Sequence, residues 1–225
     1  MLRDDPFEVL MVSRAARGAF ASALVFPGGA IDSDDREDGW REHVDDFDDF
    51  AGDERALRIG AIREVWEETG LLLGGPSGPA RSGEPFREAL EQTSSRIRLD
   101  ALTHFGHWIT PASEPRRFDT HFFLAAVERD AVAIPDGVET LDTEWLPPAR
   151  AAELAKSGER PIIFPTMLNL LRVAESENTA DAISAARARP RVTVAPVWET
   201  RDDGTRWVSI PVEAGYPVLE WRDTR

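Results

Sequence analysis

The sequence predicts an α/β fold, and three observations predict it. Short apolar runs with β-branched content, such as residues 7–12 and 120–127, alternate along the chain with segments of helical periodicity. Gly and Pro clusters mark the junctions between them. No internal repeat is present, and 225 residues with 42 % hydrophobic content suffice for a sizeable core.

The elements follow in order. Residues 7–12 read as a strand, and Met1-Leu2 reads like the tail of another, as a misassigned start codon would leave it. Residues 20–26 form a second strand, stopped by Pro27-Gly28-Gly29. Trp40, Val44, Phe47 and Ala51 recur at helical spacing and predict a short amphipathic helix with a solvated acidic face. Asp53 is placed to cap a second helix running to Thr69, and Gly70 to end it. Residues 74–83, with four glycines and two prolines, predict a mobile loop. A helix at 85–95 follows, then strands at 102–110 and 120–127 around the turn 111–115. A short strand at 144–146 precedes helices at 148–155 and 165–175. After the Arg- and Ala-rich segment 180–189, strands at 192–200 and 207–212 flank Arg201-Asp202-Asp203-Gly204, a hairpin signal. Trp198 and Trp207 on that hairpin are expected to pack rather than to stack on an adenine.

Composition excludes several classes of function. Zero cysteines exclude disulfides, thiolate catalysis and Cys-ligated metals. The charge of −15 argues against nucleic acid and anionic membranes as partners. Lys156 is the sole lysine and lacks the Gly-rich approach of a P-loop. No apolar run is long enough to span a bilayer and no secretory signal opens the chain, so the expected address is the cytoplasm. The charge is concentrated. Between Asp32 and Glu54 lie twelve acids and two arginines, −10 of the −15 total.

The informative stretch is Arg63-Glu64-Val65-Trp66-Glu67-Glu68-Thr69-Gly70-Leu71. On a helix Glu64, Glu67 and Glu68 share one face with Gly60 and Ala56, opposite a stripe of Leu57, Ala61, Ile62 and Val65. Carboxylates this close repel one another, so a divalent cation or an arginine must neutralise them. Hard oxygen ligands select Mg²⁺ or Mn²⁺. An acidic surface paired to Arg63 answers the same spacing.

Arg63-Glu64-Val65-x-Glu67-Glu68-x-Gly70-Leu71 resembles the second half of the Nudix box, and Phe26-Pro27-Gly28-Gly29 resembles the turn that opens it. Weaker similarity extends the resemblance over about residues 5–175. The box departs from the family in one respect. Gly29 and Arg63 are 34 positions apart, about 20 more than usual, and the extra residues are the acidic block. Counting back from Arg63 to the box's first glutamate gives Arg55, with Glu54 one position off, so the residue orienting the arginine is not identified. The insertion, Trp108-Ile109-Thr110-Pro111 and Arg116-Arg117-Phe118-Asp119-Thr120 are similar to a branch whose animal members are peroxisomal diphosphatases of coenzyme A and acyl-CoA. The C-terminal Asp223-Thr224-Arg225 is not a peroxisomal signal.

The resemblance implies a Nudix-type α/β/α sandwich with a mixed sheet, comprising residues 1–189 with the acidic helical insertion at about 32–53. A hairpin extension, residues 190–225, packs on the same domain. It implies Mg²⁺ or Mn²⁺ held by Glu64, Glu67 and Glu68, with Glu67, Glu68 and Arg63 catalytic and Arg63 orienting the glutamates. Gly28, Gly29, Arg116 and Arg117 are the substrate-binding candidates; for the two arginines, pairing with Glu114 or Asp119 is the alternative. Glu67, Glu114 and Glu139 are the general-base candidates. His104, His107 and His121 are expected to form no metal pattern, because His104 and His107 would face opposite sides of a strand. The substrate is a small nucleotide diphosphate derivative, with coenzyme A or acyl-CoA ahead of ADP-ribose or a dinucleotide. A non-catalytic ligand sensor is the second alternative, and a homodimer the assembly expected if the chain associates.

Overall fold

The computed structural model describes residues 1–15, 22–73, 85–111, 114 and 116–222. The predicted loop at 74–83, the start of the strand at 20–26, the centre of the turn at 111–115 and the tripeptide 223–225 lie outside these. The chain runs β1 (Leu2–Arg3), β2 (Glu8–Arg14), β3 (Leu24–Val25), α1 (Gly52–Thr69), α2 (Phe86–Thr93), β4 (Thr103–Ile109) and β5 (Asp119–Leu124). It continues β6 (Thr140–Leu146), α3 (Pro148–Ser157), α4 (Phe164–Val173), α5 (Thr179–Ala188), β7 (Thr193–Val194), β8 (Val197–Thr200), β9 (Arg206–Ser209) and β10 (Glu220–Arg222). Among the described residues no helix is long and apolar enough to cross a membrane.

Strand β2 is central. It pairs antiparallel with β1 and β3 along one edge and with β6 along the other. Alternation along it sets the layers. Leu10 joins a core with Ile59, Ile62, Val65 and Trp66 of α1. Its neighbours Val9 and Met11 join a second core with Ala151 and Ala152 of α3, Leu170 and Val173 of α4, and Ala182 and Ala186 of α5. Helix α1 therefore covers one face and α3 to α5 the other, giving the expected α/β/α arrangement.

A second sheet has the order β5-β4-β7, with β4–β5 antiparallel and β4–β7 parallel, so the sheet is mixed. Its register changes the histidine reading. His104 is opposite Phe123 but Gly106 is opposite Phe122, which leaves Phe105 as the extra residue of a β-bulge. The bulge reverses the alternation, and His104 and His107 lie on the same face. His104 Nε2 is 3.3 Å from His121 Nδ1, and the His107 and His121 rings stack with centroids 4.0 Å apart. The expectation that these histidines form no metal pattern is thereby corrected.

The acidic insertion is not an α-helix. It folds as three short 3₁₀ turns, Asp34–Arg36, Asp38–Glu42 and Phe47–Asp49. The apolar spacing nevertheless identified most of what it buries: Trp40, Val44 and Phe47 enter the α1 core with Phe86 and Leu90 of α2. Ala51, expected on the same stripe, is instead exposed at the start of α1. Asp46 is buried and spends both carboxylate oxygens on the Leu99 and Asp100 amides, each at 2.8 Å. A short acid bonding backbone elsewhere competes with helix formation.

The segment after residue 180 is part of a helix, α5, started by Asn178, whose side chain accepts from the Asp181 amide. The C-terminal strands form an antiparallel sheet, β10-β9-β8, around the predicted hairpin. There Arg206 stacks on Trp198 at 4.3 Å and Arg201 on Trp207 at 3.8 Å.

Candidate active site

Helix α1 ends at Gly70, which takes the left-handed conformation at φ 71° and donates to the Trp66 carbonyl. Its last two turns carry the glutamates, facing the Pro27-Gly28-Gly29 turn that follows β3. The predicted Asp53 cap lies inside the first turn instead, with Ala51 at the cap position.

Arg63 organises this surface. Its guanidinium makes two bonds to Asp35, Nε to Oδ1 at 2.9 Å and Nη2 to Oδ2 at 2.8 Å. Nη1 donates to Glu64 Oε1 at 2.8 Å and Glu67 Oε2 at 2.9 Å, and Nη2 also reaches the Ala30 carbonyl at 2.9 Å. Burial disfavours the charged arginine, but its bonds to Asp35 and Glu64 outweigh that and raise its pKa. Glu64 titrates above the usual range because it is buried, although Arg63 pulls the other way.

Glu68 is the most enclosed of the three glutamates, with 5 % of its side chain exposed. Its Oε2 accepts from the Gly28 amide at 2.8 Å. Its Oε1 is buried with no hydrogen-bond partner, and the nearest cation is Arg14 at 3.9 Å. Burial pushes its pKa up to about 7, with Glu64 and Asp136 adding to the rise and Gly28 and Arg14 opposing it. A buried carboxylate oxygen without a donor, beside two glutamates already oriented by an arginine, fits a hard divalent cation. Glu64, Glu67 and Glu68 are the residues that would hold it.

The two glycines serve the carboxylates. Gly28 donates to Glu68, and a Cβ at Gly29 would come within 2.1 Å of Glu64 Oε2. Glu139 reaches this neighbourhood through Arg14, which lies 3.4 Å from Glu139 and 3.9 Å from Glu68. Glu114 faces the C-terminal hairpin, 3.7 Å from Arg206. Arg116 and Arg117 are exposed. Arg117 Nε donates to the Thr110 carbonyl at 3.2 Å, and Arg116 stacks over Phe118 at 5.2 Å. Asp119, offered as an arginine partner, contacts His107 and His121 instead.

Sequence reasoning missed Asp35, Arg14 and the Ala30 carbonyl. Asp35 had a usable signal: it stands six positions after Gly29, so a count forward from the glycine, before the insertion intervenes, reaches it. Arg14 had none, since it comes from β2, far away in sequence.

This combination of a Gly-Gly turn, an arginine clamp and a glutamate helix is that of the NUDIX domain family, whose model matches residues 1–165; the chain belongs to that family. Particular relatives are more specific. It is 27 % identical over 237 residues to the human protein named acyl-coenzyme A diphosphatase NUDT19, covering 79 % of this chain and 63 % of that one. The Gallus gallus protein of the same name is 28 % identical over 238 residues, covering 78 % and 63 %. The crystal structure of a NUDIX hydrolase from Alicyclobacillus acidocaldarius aligns with a TM-score of 0.69 at 29 % identity, covering 81 % of this chain and 91 % of that chain. The chain spans less than two thirds of the length of these two curated relatives.

Proposed function

We propose that this chain hydrolyses the diphosphate linkage of coenzyme A or an acyl-CoA, giving 3′,5′-ADP and (acyl-)4′-phosphopantetheine, with Mg²⁺ or Mn²⁺ held by Glu64, Glu67 and Glu68. The observation that carries the reaction class is the unpartnered, buried Glu68 Oε1 beside the Arg63 clamp. The choice of substrate is supported by the relatives named acyl-coenzyme A diphosphatase and by the insertion that divides the box.

When bound, the cation supplies charge screening for the diphosphate and lowers the pKa of an attacking water. The chain's own residues supply the rest. Arg63 fixes one oxygen each of Glu64 and Glu67, so the carboxylates need no reorganisation when a ligand arrives. Glu139, with 67 % of its side chain exposed and next to Arg14, is better placed than Glu114 to take a proton from water. Exposed Arg116 and Arg117 offer forked donors to phosphate.

The test is a hydrolysis panel over coenzyme A, acetyl-CoA, ADP-ribose, NADH and diadenosine polyphosphates, with Mg²⁺ or Mn²⁺ and products identified by mass. Release of 3′,5′-ADP is expected. Preferred turnover of ADP-ribose or a dinucleotide would replace the substrate, and no turnover of any would favour a ligand sensor. Glu68→Gln is expected to lower turnover by about 100-fold or more while the fold persists; wild-type activity in that variant would refute the site.

A further inference from the structure

Three of the chain's four histidines converge on one face of the β5-β4-β7 sheet, away from the glutamate cluster. We propose that this face holds a second metal site, for a zinc-type transition dication, with His107 Nε2, His121 Nε2 and an Asp119 carboxylate oxygen as ligands.

The register builds the triad. His107 and His121 are directly opposite each other across β4 and β5, and Asp119 lies two residues before His121 on the same side of its strand. One potential ligand atom from each of the three lies within 4.8 Å of the others. Asp119 Oδ1 is 2.6 Å from His107 Nε2 and 3.7 Å from His121 Nε2. Tetrahedral bonds of about 2.0–2.2 Å put donor atoms roughly 3.3–3.6 Å apart. The second separation is close to that value. The first opens by less than about 1 Å when the metal takes the place of the proton shared by ring and carboxylate. The two rings, stacked at 15° before binding, must also turn so that both Nε2 lone pairs converge.

The far side of each ring is provided for as well. A ring that ligates through Nε2 carries its proton on Nδ1 and needs an acceptor there. Thr193 Oγ1, on the neighbouring strand β7, is 2.8 Å from His107 Nδ1. His104 Nε2 is 3.3 Å from His121 Nδ1, on the same face because of the Phe105 bulge. A simple ion pair between His107 and Asp119 requires neither of these. The rings border an open cavity of about 200 Å³ that Glu54, Leu57, Phe123, Thr193 and Arg191 also line, with room for a water as fourth ligand. The Arg191 charge there is paired with Glu54 at 3.7 Å.

Imidazole with one carboxylate selects Zn²⁺, Co²⁺, Ni²⁺ or Cu²⁺ over Mg²⁺, whereas the all-carboxylate set of α1 selects the reverse. The two sites are also apart. Glu54 of the histidine cavity and Glu64 are ten residues, roughly 15 Å, apart along α1. Bound metal would clasp β4 to β5 at a position the helix glutamates do not share.

Co²⁺ serves as the spectroscopic probe. The full chain, in millimolar Mg²⁺ to occupy the helix carboxylates, is titrated with Co²⁺ and followed by visible absorption, then back-titrated with Zn²⁺. One equivalent of Co²⁺ with intense low-symmetry ligand-field bands is expected, displaced by one Zn²⁺. His107→Gln and His121→Gln should weaken binding by more than the 10–100-fold expected for the positioning variant His104→Ala. Glu68→Gln should leave it unchanged. Circular dichroism checks each variant. Asp119→Asn, at an exposed strand position, provides an independent ligand deletion if a histidine variant misfolds. No stoichiometric Co²⁺ binding would overturn the proposal. So would binding that survives both Asp119→Asn and His121→Gln, or binding lost in Glu68→Gln.

Discussion

Asp35 differs from the other acids around it by location rather than chemistry: its side chain is fully buried and takes two bonds from Arg63, while Asp34 next to it is half exposed. Replacing Asp35 with Asn keeps the shape but leaves Arg63 without its buried counter-charge, a loss of about 3–5 kcal/mol by the usual cost of breaking such a pair. Mn²⁺ binding should weaken about 10–100-fold as well, because Arg63 then holds Glu64 and Glu67 less firmly. Urea denaturation and Mn²⁺ titration measure the two effects. Asp34→Asn, which loses only the surface contact to Arg87 at 3.0 Å, should change stability by less than about 1 kcal/mol. Gly29→Ala tests the opposite side of the cluster. Its Cβ would meet Glu64 Oε2 at 2.1 Å, so the expected loss is in metal affinity, with thermal stability affected much less. If metal affinity is unchanged, Glu64 is not held where the structure has it. The glutamates and Arg63 were legible in sequence because they lie within two turns of one helix. Asp35 was not found by counting back across the insertion, which led to Arg55. That residue braces the insertion, stacking on Phe47 at 3.9 Å and donating to the Phe50 carbonyl at 3.3 Å.

At the scale of elements, periodicity read burial well and conformation less well. Trp40, Val44 and Phe47 are buried as their spacing predicted, but Ala51 of the same stripe is exposed, and the backbone between the buried three makes 3₁₀ turns. Spacing reports which side chains are sheltered. It does not report that Asp46 bonds two amides beyond residue 98, nor that Trp40 Nε1 donates to the Asp34 carbonyl at 2.8 Å. The bulge at Phe105 was invisible for the same reason: an extra residue in one strand shows only once its partner is known, and it moved His104 to the opposite face from the one predicted. The insertion is consequently a structural part of the α1 core. Trp40, 1 % exposed, packs against Phe86 at 5.8 Å, which in turn packs against Trp66 of the glutamate helix at 5.4 Å. Trp40→Ala is expected to cost about 3–5 kcal/mol in a urea titration. Asp48→Asn, on the outer surface beside Arg41, should leave the urea midpoint close to that of the parent chain. Equal effects would mean that the insertion is not anchored through its apolar side.

Across the whole molecule, the C-terminal strands are tied to the body by an apolar cluster, by the buried bond from Arg172 to the Ala214 carbonyl, and by a buried chain of hydrogen bonds through Tyr216. Trp108 of β4 donates through Nε1 to Tyr216 Oη at 2.8 Å, and Tyr216 donates to Asn169 Oδ1 of α4 at 2.8 Å. Arg172 of α4 lies over the Tyr216 ring at 3.2 Å. Burial raises the Tyr216 pKa above its ordinary 10.0, although Arg172 and the Trp108 bond favour the charged form. The sign of the consequence follows from proton binding. Above pH 10 the unfolded chain releases this proton while the folded chain keeps it, so the unfolded state binds fewer protons and stability falls with rising pH. The contribution is complete below about pH 10 and is lost as the pH climbs toward the folded value. Tyr216 is the sole tyrosine in the chain, so phenolate absorbance reports it without interference. In an alkaline titration, phenolate absorbance should rise later than in the urea-unfolded chain and coincide with loss of tryptophan fluorescence from the native environment. Tyr216→Phe strands the Trp108 donor and the Asn169 acceptor and should cost about 1–3 kcal/mol at neutral pH, while flattening the decline above pH 10. Phenolate formation at the ordinary pKa, with the fold intact, would show that the C-terminal strands detach from β4 and α4 as a unit of their own.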